Sequence, residues 1–185
     1  LLSLILFRIN YPENRQRQSN IKTNDYDICR DFNDKDFSEM KYNKFLYKCT
    51  NSKNQHITFK DTRFMNIFPA SINSKYMIIG ANLNFGIIKC LFAKCGFSSA
   101  MIYHKGAHCN LSMRSNSILE SYNPFHTVSS SNILYSDSNY ANIQDNKVNF
   151  IDKTHACRAF YFERSTNTIF KKNTIKNANV GTFSG

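Results

Sequence analysis

Five segments of the chain share one six-residue pattern, and this repeat limits the folds open to the sequence. Each segment has an apolar residue, two variable residues, a small polar residue, one variable residue and a second apolar residue. The segments are residues 59–64, 87–92, 113–118, 143–148 and 170–175, and their starts lie 28, 26, 30 and 27 residues apart. A unit this short cannot bury an apolar face alone and must stack on its neighbours. The repeat therefore predicts a solenoid.

The composition of the repeats favours strands over helices. Short runs at residues 76–79, 100–103 and 159–162 are rich in Ile, Met, Tyr and Phe and are followed by turn-forming residues. Helical repeats need long amphipathic stretches of Ala, Leu and Glu, and leucine-rich repeats need a spacing of Leu that is absent here. We therefore predict an all-β fold, a parallel β-helix of about five coils over residues 56–185, with one repeat per coil.

The small polar position of the repeat forms a column that predicts a structural ladder. Asn is poor in helices and strands, yet the chain has 24 Asn, so a folded chain of this kind must use these side chains. An inward Asn at a bend can hydrogen bond to the backbone and to the Asn of the next coil. An unpaired buried amide costs about 1–3 kcal/mol. The ladder consists of Thr62, Cys90, Asn116, Asn146 and Asn173, and Cys90 is expected to be buried and reduced.

The two ends of the chain differ from the repeats. Residues 8–55 show no clear repeat and are expected to form an irregular N-terminal cap over the first coil. Residues 1–7 are apolar except for Ser3 and are interpreted as the remnant of a secretory signal peptide, with a buried strand or an artefact of the gene model as the alternatives. The pattern is still strong close to Gly185, so we expect the repeats to be truncated there.

The six cysteines contain no CxxC pair, which argues against zinc ribbons and fingers. If the chain is secreted, Cys29 and Cys49 are candidates for a local disulfide. The sequence Asn110-Leu111-Ser112 is a possible N-glycosylation site, which is consistent with secretion.

Two motifs carry a resemblance to a known group of proteins. Phe170-Lys171-Lys172-Asn173 is an FxxN element, and the runs 100–103 and 159–162 stand where a GGA-I strand would be. The chain resembles the right-handed parallel β-helix proteins of the pectate-lyase-like superfamily. More narrowly, it is similar to the polymorphic outer membrane protein-like surface proteins of chlamydiae and parasitic protists. It departs from them where Ser98-Ser99 and Cys157-Arg158 replace the two glycines. The resemblance implies a right-handed coil and a role in adhesion.

No catalytic, cofactor-binding or metal-binding residues are predicted. Enzymes on this fold need carboxylates that are close together on adjacent coils. Asp61 and Asp145 share a repeat position but lie three coils apart, about 14 Å, too far to act on one glycosidic bond. The cluster His104, His108 and Cys109, with His155 and Cys157 as a second half, is interpreted as polar turn residues around Gly106 rather than a metal site. The other acids after residue 56 are Glu120, Asp137, Asp152 and Glu163.

The net charge of +11 arises from residues 41–185, which hold 18 basic and 6 acidic residues, whereas residues 1–40 hold six basic and seven acidic ones. The basic residues are scattered and their longest run is Lys171-Lys172, so nucleic acid is not the expected partner. We expect a non-enzymatic, extracellular or surface protein that mediates adhesion or another macromolecular interaction, with host-surface glycans or proteins as partners. Membrane association is expected only through segments outside this sequence. The alternative is a carbohydrate-active β-helix enzyme, a polysaccharide lyase or hydrolase, with its site in other coils. A basic nucleic-acid-binding domain is a third hypothesis.

Overall fold

The computed structural model describes residues 25–50, 55–125, 131–151, 157–178 and 180–184, and within these ranges all regular structure is β. The strands of the first half are β1 (Tyr26–Asp27), β2 (Phe32–Asn33), β3 (Asp36–Tyr42), β4 (Tyr47–Thr50), β5 (His56–Lys60), β6 (Arg63–Pro69), β7 (Tyr76–Ala81), β8 (Asn84–Ile88) and β9 (Leu91–Ala93). The others are β10 (Ala100–Arg114), β11 (Ser117–Ser121), β12 (Ser131–Gln144), β13 (Lys147–Phe150), β14 (Cys157–Glu163), β15 (Asn167–Lys171), β16 (Thr174–Lys176) and β17 (Val180–Ser184).

The strands form two parallel sheets, because each strand pairs with its equivalents in the coils before and after it. The larger sheet runs β1-β4-β7-β10-β12-β14-β17, with β2, β5, β8 and β15 beside this path. The smaller sheet has the order β16-β13-β11-β9-β6-β3. The fold is therefore an all-β parallel solenoid of about five turns, as the repeat predicts.

Stacked aromatic rings fill the core of the first coils. Phe37, Phe64 and Phe92 pair across β3, β6 and β9, with ring centroids 5.2 and 4.6 Å apart and ring planes within 8° of each other. Ile118 and Val148 continue this inward column in later coils. Each fully buried side chain of this size contributes about 1.5–3 kcal/mol of transfer free energy. The second apolar position of the repeat thus forms the core.

Each coil turns at residues with a left-handed backbone. Eleven corner residues have φ between 50° and 57°, a region that Asn and Asp enter more readily than most residues. One corner lies directly before the ladder position, and in successive coils it is occupied by Asp34, Asp61, Lys89, Ser115, Asp145 and Lys172. The next corner of the coil is occupied by Glu39, Asn66, Lys94, Glu120 and Asn177. Asp61 and Asp145 therefore share a repeat position because the turn suits Asp.

The N-terminal segment requires a correction to the predicted boundary. Residues 26–50 were expected to belong to an irregular cap, yet they form β1 to β4 and pair in register with the next coil. Phe32 lies against Phe59 and Phe37 against Phe64, so the apolar positions of the repeat are present. Lys35 occupies the small polar position, which conceals the pattern. The rest of the expected cap, residues 8–24 and 51–54, and the expected signal-peptide remnant 1–7 lie outside the described residues.

Candidate functional site

The three Asn of the predicted ladder are stacked along the solenoid and are hydrogen bonded to one another. The Asn146 Oδ1 accepts from the backbone N and the Nδ2 of Asn116, at 3.1 and 2.9 Å. The Asn173 Oδ1 accepts in the same way from Asn146, at 3.0 and 2.9 Å. Each Nδ2 also donates to a backbone carbonyl of the preceding coil, Ile87, Met113 or Ile143. These side chains hold the coils together.

Thr62 and Cys90 occupy the same column in the earlier coils. The Thr62 hydroxyl donates to the carbonyl of Lys60 at 2.9 Å, and the Cys90 backbone N donates to Asn116 Oδ1 at 2.8 Å. The Cys90 thiol donates to the carbonyl of Phe59 at 3.4 Å. Burial raises the pKa of the Cys90 thiol to about 11, so it is protonated near neutral pH. The column is structural throughout.

The cysteines of the first coil are joined. Cys29 and Cys49 form a disulfide with their Cα atoms 4.9 Å apart, which links β4 to the segment after β1. Cys95 is buried with a free thiol, and burial raises its pKa to about 12. Cys109 is a free and partly exposed thiol.

The His and Cys cluster lies in a strand rather than in the expected turn. Residues 104–109 belong to β10, and the irregularity at Gly106 is a register shift against β12. His104 is buried, with its Nε2 3.0 Å from the Leu83 carbonyl, and burial lowers its pKa. His108 is exposed. The described residues contain no group of three potential metal ligands, while His155 and the Cys157 side chain lie outside them.

Four tyrosines form a continuous stack on the outer side of the larger sheet. Tyr103, Tyr135 and Tyr161 occupy one register position on β10, β12 and β14, and Tyr76 of β7 stacks on Tyr103. Successive ring centroids lie 4.5, 5.3 and 4.8 Å apart. Burial is the main cause that raises the pKa of Tyr76 and of Tyr103. The stack places one phenol on each coil.

The next outward position along the same strands is charged. Lys105, Asp137 and Glu163 pair in register across β10, β12 and β14. Arg164 holds Asp137 through two hydrogen bonds, the Nε–Oδ1 bond being 3.0 Å, and the Tyr135 hydroxyl donates to Glu163. The hydrogen bond to Asp137 is the main cause that raises the pKa of Arg164. The Asp137 side chain is 10% exposed, whereas that of Arg164 is 68% exposed.

Two clefts open on either side of these residues. A cleft of about 350 Å³ is lined by Asn82, Lys105, Gly106, Ala107, Asp137 and Arg164. A smaller cleft of about 240 Å³ is lined by Tyr76, Ser99, Asn132, Tyr135, Arg158 and Tyr161. We use the name tyrosine face for the four stacked tyrosines together with Lys105, Asp137, Arg158, Glu163 and Arg164.

The tyrosine face lies outside the six-residue repeat pattern, although the sequence carries a signal for it. Tyr103, Tyr135 and Tyr161 lie 32 and 26 residues apart, close to the repeat length. The run around Tyr135 was not recognised as a strand of the series, because Ser and Asn interrupt its apolar residues. The proximity of Asp137 and Glu163 was therefore not predicted. In the structure this pair lies in register on adjacent coils, unlike Asp61 and Asp145.

Asn110, the possible glycosylation site, is exposed on β10 and pairs with Tyr140 of β12. Comparisons with protein-family models, curated proteins and solved structures found no match to this chain. Among the described residues, no helix is long and apolar enough to cross a membrane.

Proposed function

We propose that this protein is a non-enzymatic, secreted or surface-displayed β-solenoid that binds an anionic glycan through the tyrosine face. The observation that carries the proposal is the row of four tyrosines, one on each of four successive coils, with cationic side chains beside it. The ring spacing of 4.5–5.3 Å is similar to the length that one sugar unit adds to an extended polysaccharide. A glycan lying along the solenoid would therefore meet one phenol per sugar.

The charges of the tyrosine face suit an anionic sugar. The guanidinium of Arg158 lies 5.7 Å from the Tyr161 ring centroid, and Lys105 is exposed at the opposite edge of the face. Arg164 has five N–H donors, of which Asp137 engages those on Nε and Nη2, so others can reach a sulfate or carboxylate. The net charge of +11 adds a long-range attraction for polyanions.

Two further observations support a role outside the cell. The Cys29–Cys49 disulfide is typical of proteins that mature in an oxidising compartment. The FxxN element at residues 170–173 belongs to a coil of a β-solenoid, which is compatible with the proposed kinship to polymorphic outer membrane protein-like surface proteins. Host-surface glycans or glycoproteins are the partners that this proposal implies.

A binding assay tests the proposal. The full chain should bind heparin and polyuronate, and not a neutral glucan, at physiological salt. The double variant Lys105→Gln/Arg158→Gln should lose most of this binding. The matched control Arg63→Gln/Lys147→Gln removes the same charge from the outer side of the smaller sheet and should retain it. Equal losses in the two variants, or no binding by the wild type, would contradict the proposal.

The acid pair favours a second candidate, a carbohydrate-active enzyme with its site in this chain. Asp137 and Glu163 are in register on adjacent strands, and most glycoside hydrolases use two carboxylates that lie close together. Each carboxylate already has a partner, Arg164 or Tyr135, which makes a purely structural role the simpler interpretation. Turnover of polygalacturonate or hyaluronan by the wild type, and its loss in Glu163→Gln, would establish the enzyme instead.

A further inference from the structure

A second concave surface lies further along β10 and β12, separate from the tyrosine face. Its volume is about 640 Å³, and its lining contains no charged residue. We use the name amide groove for its outward side chains. They are Asn110, Ser112, Tyr140, Asn142, Asn167 and Ile169. A site of this size without charge is unsuited to a sulfated or carboxylated ligand.

The parallel register builds the groove from two columns. Asn110, Tyr140 and Asn167 occupy one outward position on β10, β12 and β15. Ser112, Asn142 and Ile169 occupy the position two residues later. Ser112 is small and thus keeps the floor of the groove low beside the larger residues. The columns place a ring, an aliphatic side chain and three amides around one concavity.

Tyr140 differs from the tyrosines of the tyrosine face. It is 46% exposed, and in the described part of the chain no other aromatic ring packs against it. Ile169, at the diagonal position on β15, is 51% exposed. The C–H bonds of a pyranose carry partial positive charge and pack against the electron-rich face of an aromatic ring. Tyr140 offers such a free face, whereas the stacked tyrosines cover each other's faces.

The Asn side chains of the groove provide both hydrogen-bond donors and acceptors, which match the hydroxyl groups of a sugar. Asn110 is fixed through its backbone N, which donates to Asn84 Oδ1 at 2.9 Å, and its own amide has no partner among the described residues. Asn142 accepts from Gln144 through Oδ1, which leaves its Nδ2 available. Asn167 uses Nδ2 to reach Thr166 at 3.2 Å, which leaves its Oδ1. Amide groups of both polarities thus face the groove.

We propose that the amide groove binds a neutral oligosaccharide, with one sugar packed on Tyr140 and its hydroxyls hydrogen bonded to Asn110, Asn142 and Asn167. A few well-placed polar groups around an apolar contact are typical of small-ligand sites. This inference does not rest on the anionic ligand proposed for the tyrosine face. The saccharide has two possible sources. One is a free glycan. The other is a glycan attached to Asn110 itself, because Asn110-Leu111-Ser112 is a glycosylation sequence; Asn110 is then the attachment point, and Asn142 and Asn167 are the hydrogen-bond partners.

Titration of the full chain, produced in a bacterial host without glycosylation, tests the groove. The probes are the neutral trisaccharides mannotriose, cellotriose and tri-N-acetylchitotriose at millimolar concentrations, and binding is measured by calorimetry or NMR. We expect saturable binding of at least one probe, a loss of about tenfold or more in affinity for Tyr140→Ala, and near wild-type affinity for Tyr140→Phe. Leu119→Ala, on the smaller sheet, is the matched control for removal of an exposed apolar side chain. No saturation by any probe, or equal affinity for Tyr140→Ala and the wild type, overturns the proposal.

A second arm separates the two sources of sugar. The wild-type chain from a eukaryotic secretory host is compared with the wild-type chain from the bacterial host, which lacks glycosylation. If an attached glycan fills the groove, mass spectrometry finds it on Asn110, and the bacterial chain binds the free probe while the glycosylated chain does not. If the source is a free glycan, both chains bind the probe. Failure of the bacterial chain to bind any probe overturns the groove under either source.

Discussion

Asp137 and Glu163 occupy the same outward position on neighbouring strands β12 and β14, and each carboxylate is held by a different partner. Arg164 pairs with Asp137, and the Tyr135 hydroxyl donates to Glu163. Two like charges on adjacent strands repel each other, so the partners compensate for an arrangement that is unfavourable by itself. Within the tyrosine face, the stacked tyrosines and the charged residues are therefore coupled, because Tyr135 belongs to the stack and holds Glu163.

The first prediction concerns this compensation. Arg164→Gln removes the partner of an Asp137 side chain that is 10% exposed, so the midpoint of urea unfolding should fall. The control is Lys94→Gln, which breaks a pair with Glu120 at 4.0 Å between side chains that are 64% and 53% exposed. Its midpoint should stay near the wild type because exposed pairs contribute little. Equal midpoints for both variants would refute the coupling.

The Asn ladder leads to the second prediction. Asn146→Ala removes an acceptor for two buried N–H groups of Asn116 and two donor contacts of its own. With at least two buried polar groups left unpaired, the free energy of unfolding should fall by about 2–4 kcal/mol. Asn149→Ala, on the outer side of β13, should change it by less than about 0.5 kcal/mol. Chemical denaturation followed by circular dichroism measures both, and comparable losses would argue against the ladder.

The third prediction is a loss of stability at alkaline pH. Burial raises the pKa of Cys90 from 9.0 to about 11 and that of Cys95 to about 12. Unfolded thiols ionise near pH 9, whereas the folded ones do not, so this stabilisation is complete below pH 9 and is lost as the pH rises toward 11–12. Cys90→Thr reproduces the residue that Thr62 places in the same column and should flatten part of the decline. An unchanged slope between pH 9 and 11 in Cys90→Thr would contradict the assignment to Cys90.

Thiol accessibility gives a fourth prediction. In the native protein at pH 8, iodoacetamide should modify the partly exposed Cys109 much faster than Cys90 or Cys95. The buried thiols are protonated and shielded, so they should react only after denaturation. Mass spectrometry of peptides from native and denatured samples measures this order. Fast native labelling of Cys95 would show that the core around it opens readily.

The fifth prediction concerns the disulfide of the first coil. Cys29→Ser/Cys49→Ser opens a loop with a sequence separation of 20 residues and should lower the free energy of unfolding by about 3 kcal/mol. Cys109→Ser removes a free thiol and should have little effect. Because β1 and β4 pair with each other, hydrogen exchange should increase first in these strands of the double variant. Uniform exchange along the solenoid would contradict a local role for the disulfide.

The fold was predictable because its repeat is visible wherever apolar residues flank a small polar one. Phe59, Phe64 and Thr62 show this pattern, and the coil they form has the predicted parallel pairing. The first coil was not recognised because Lys35 stands at the ladder position, although Phe32 and Phe37 keep the core contacts. The first described coil thus keeps the aromatic core contacts of the repeat although a charged residue, Lys35, stands at its ladder position.

The candidate sites were less predictable because they depend on side chains that meet only after stacking. Asp137 and Glu163 are 26 residues apart, and only the register of β12 and β14 brings them together. The pairing of Asn110 with Tyr140 is equally hard to predict from sequence. It depends on a register shift after Gly106, which decides which residues of β10 lie beside those of β12. Outward residues carry no common apolar pattern, so a search for core periodicity does not find them.

The strand pairs and the three stacked Asn have a mechanical consequence, because their hydrogen bonds run between coils, along the axis of the solenoid. A force applied to the two ends of the chain would load one coil's bonds at a time and peel coils off in sequence. The same rod would resist bending, since its stacked rings and amides are compressed on one side when it curves. A solenoid with these properties yields in small, repeated steps under tension rather than by one rupture.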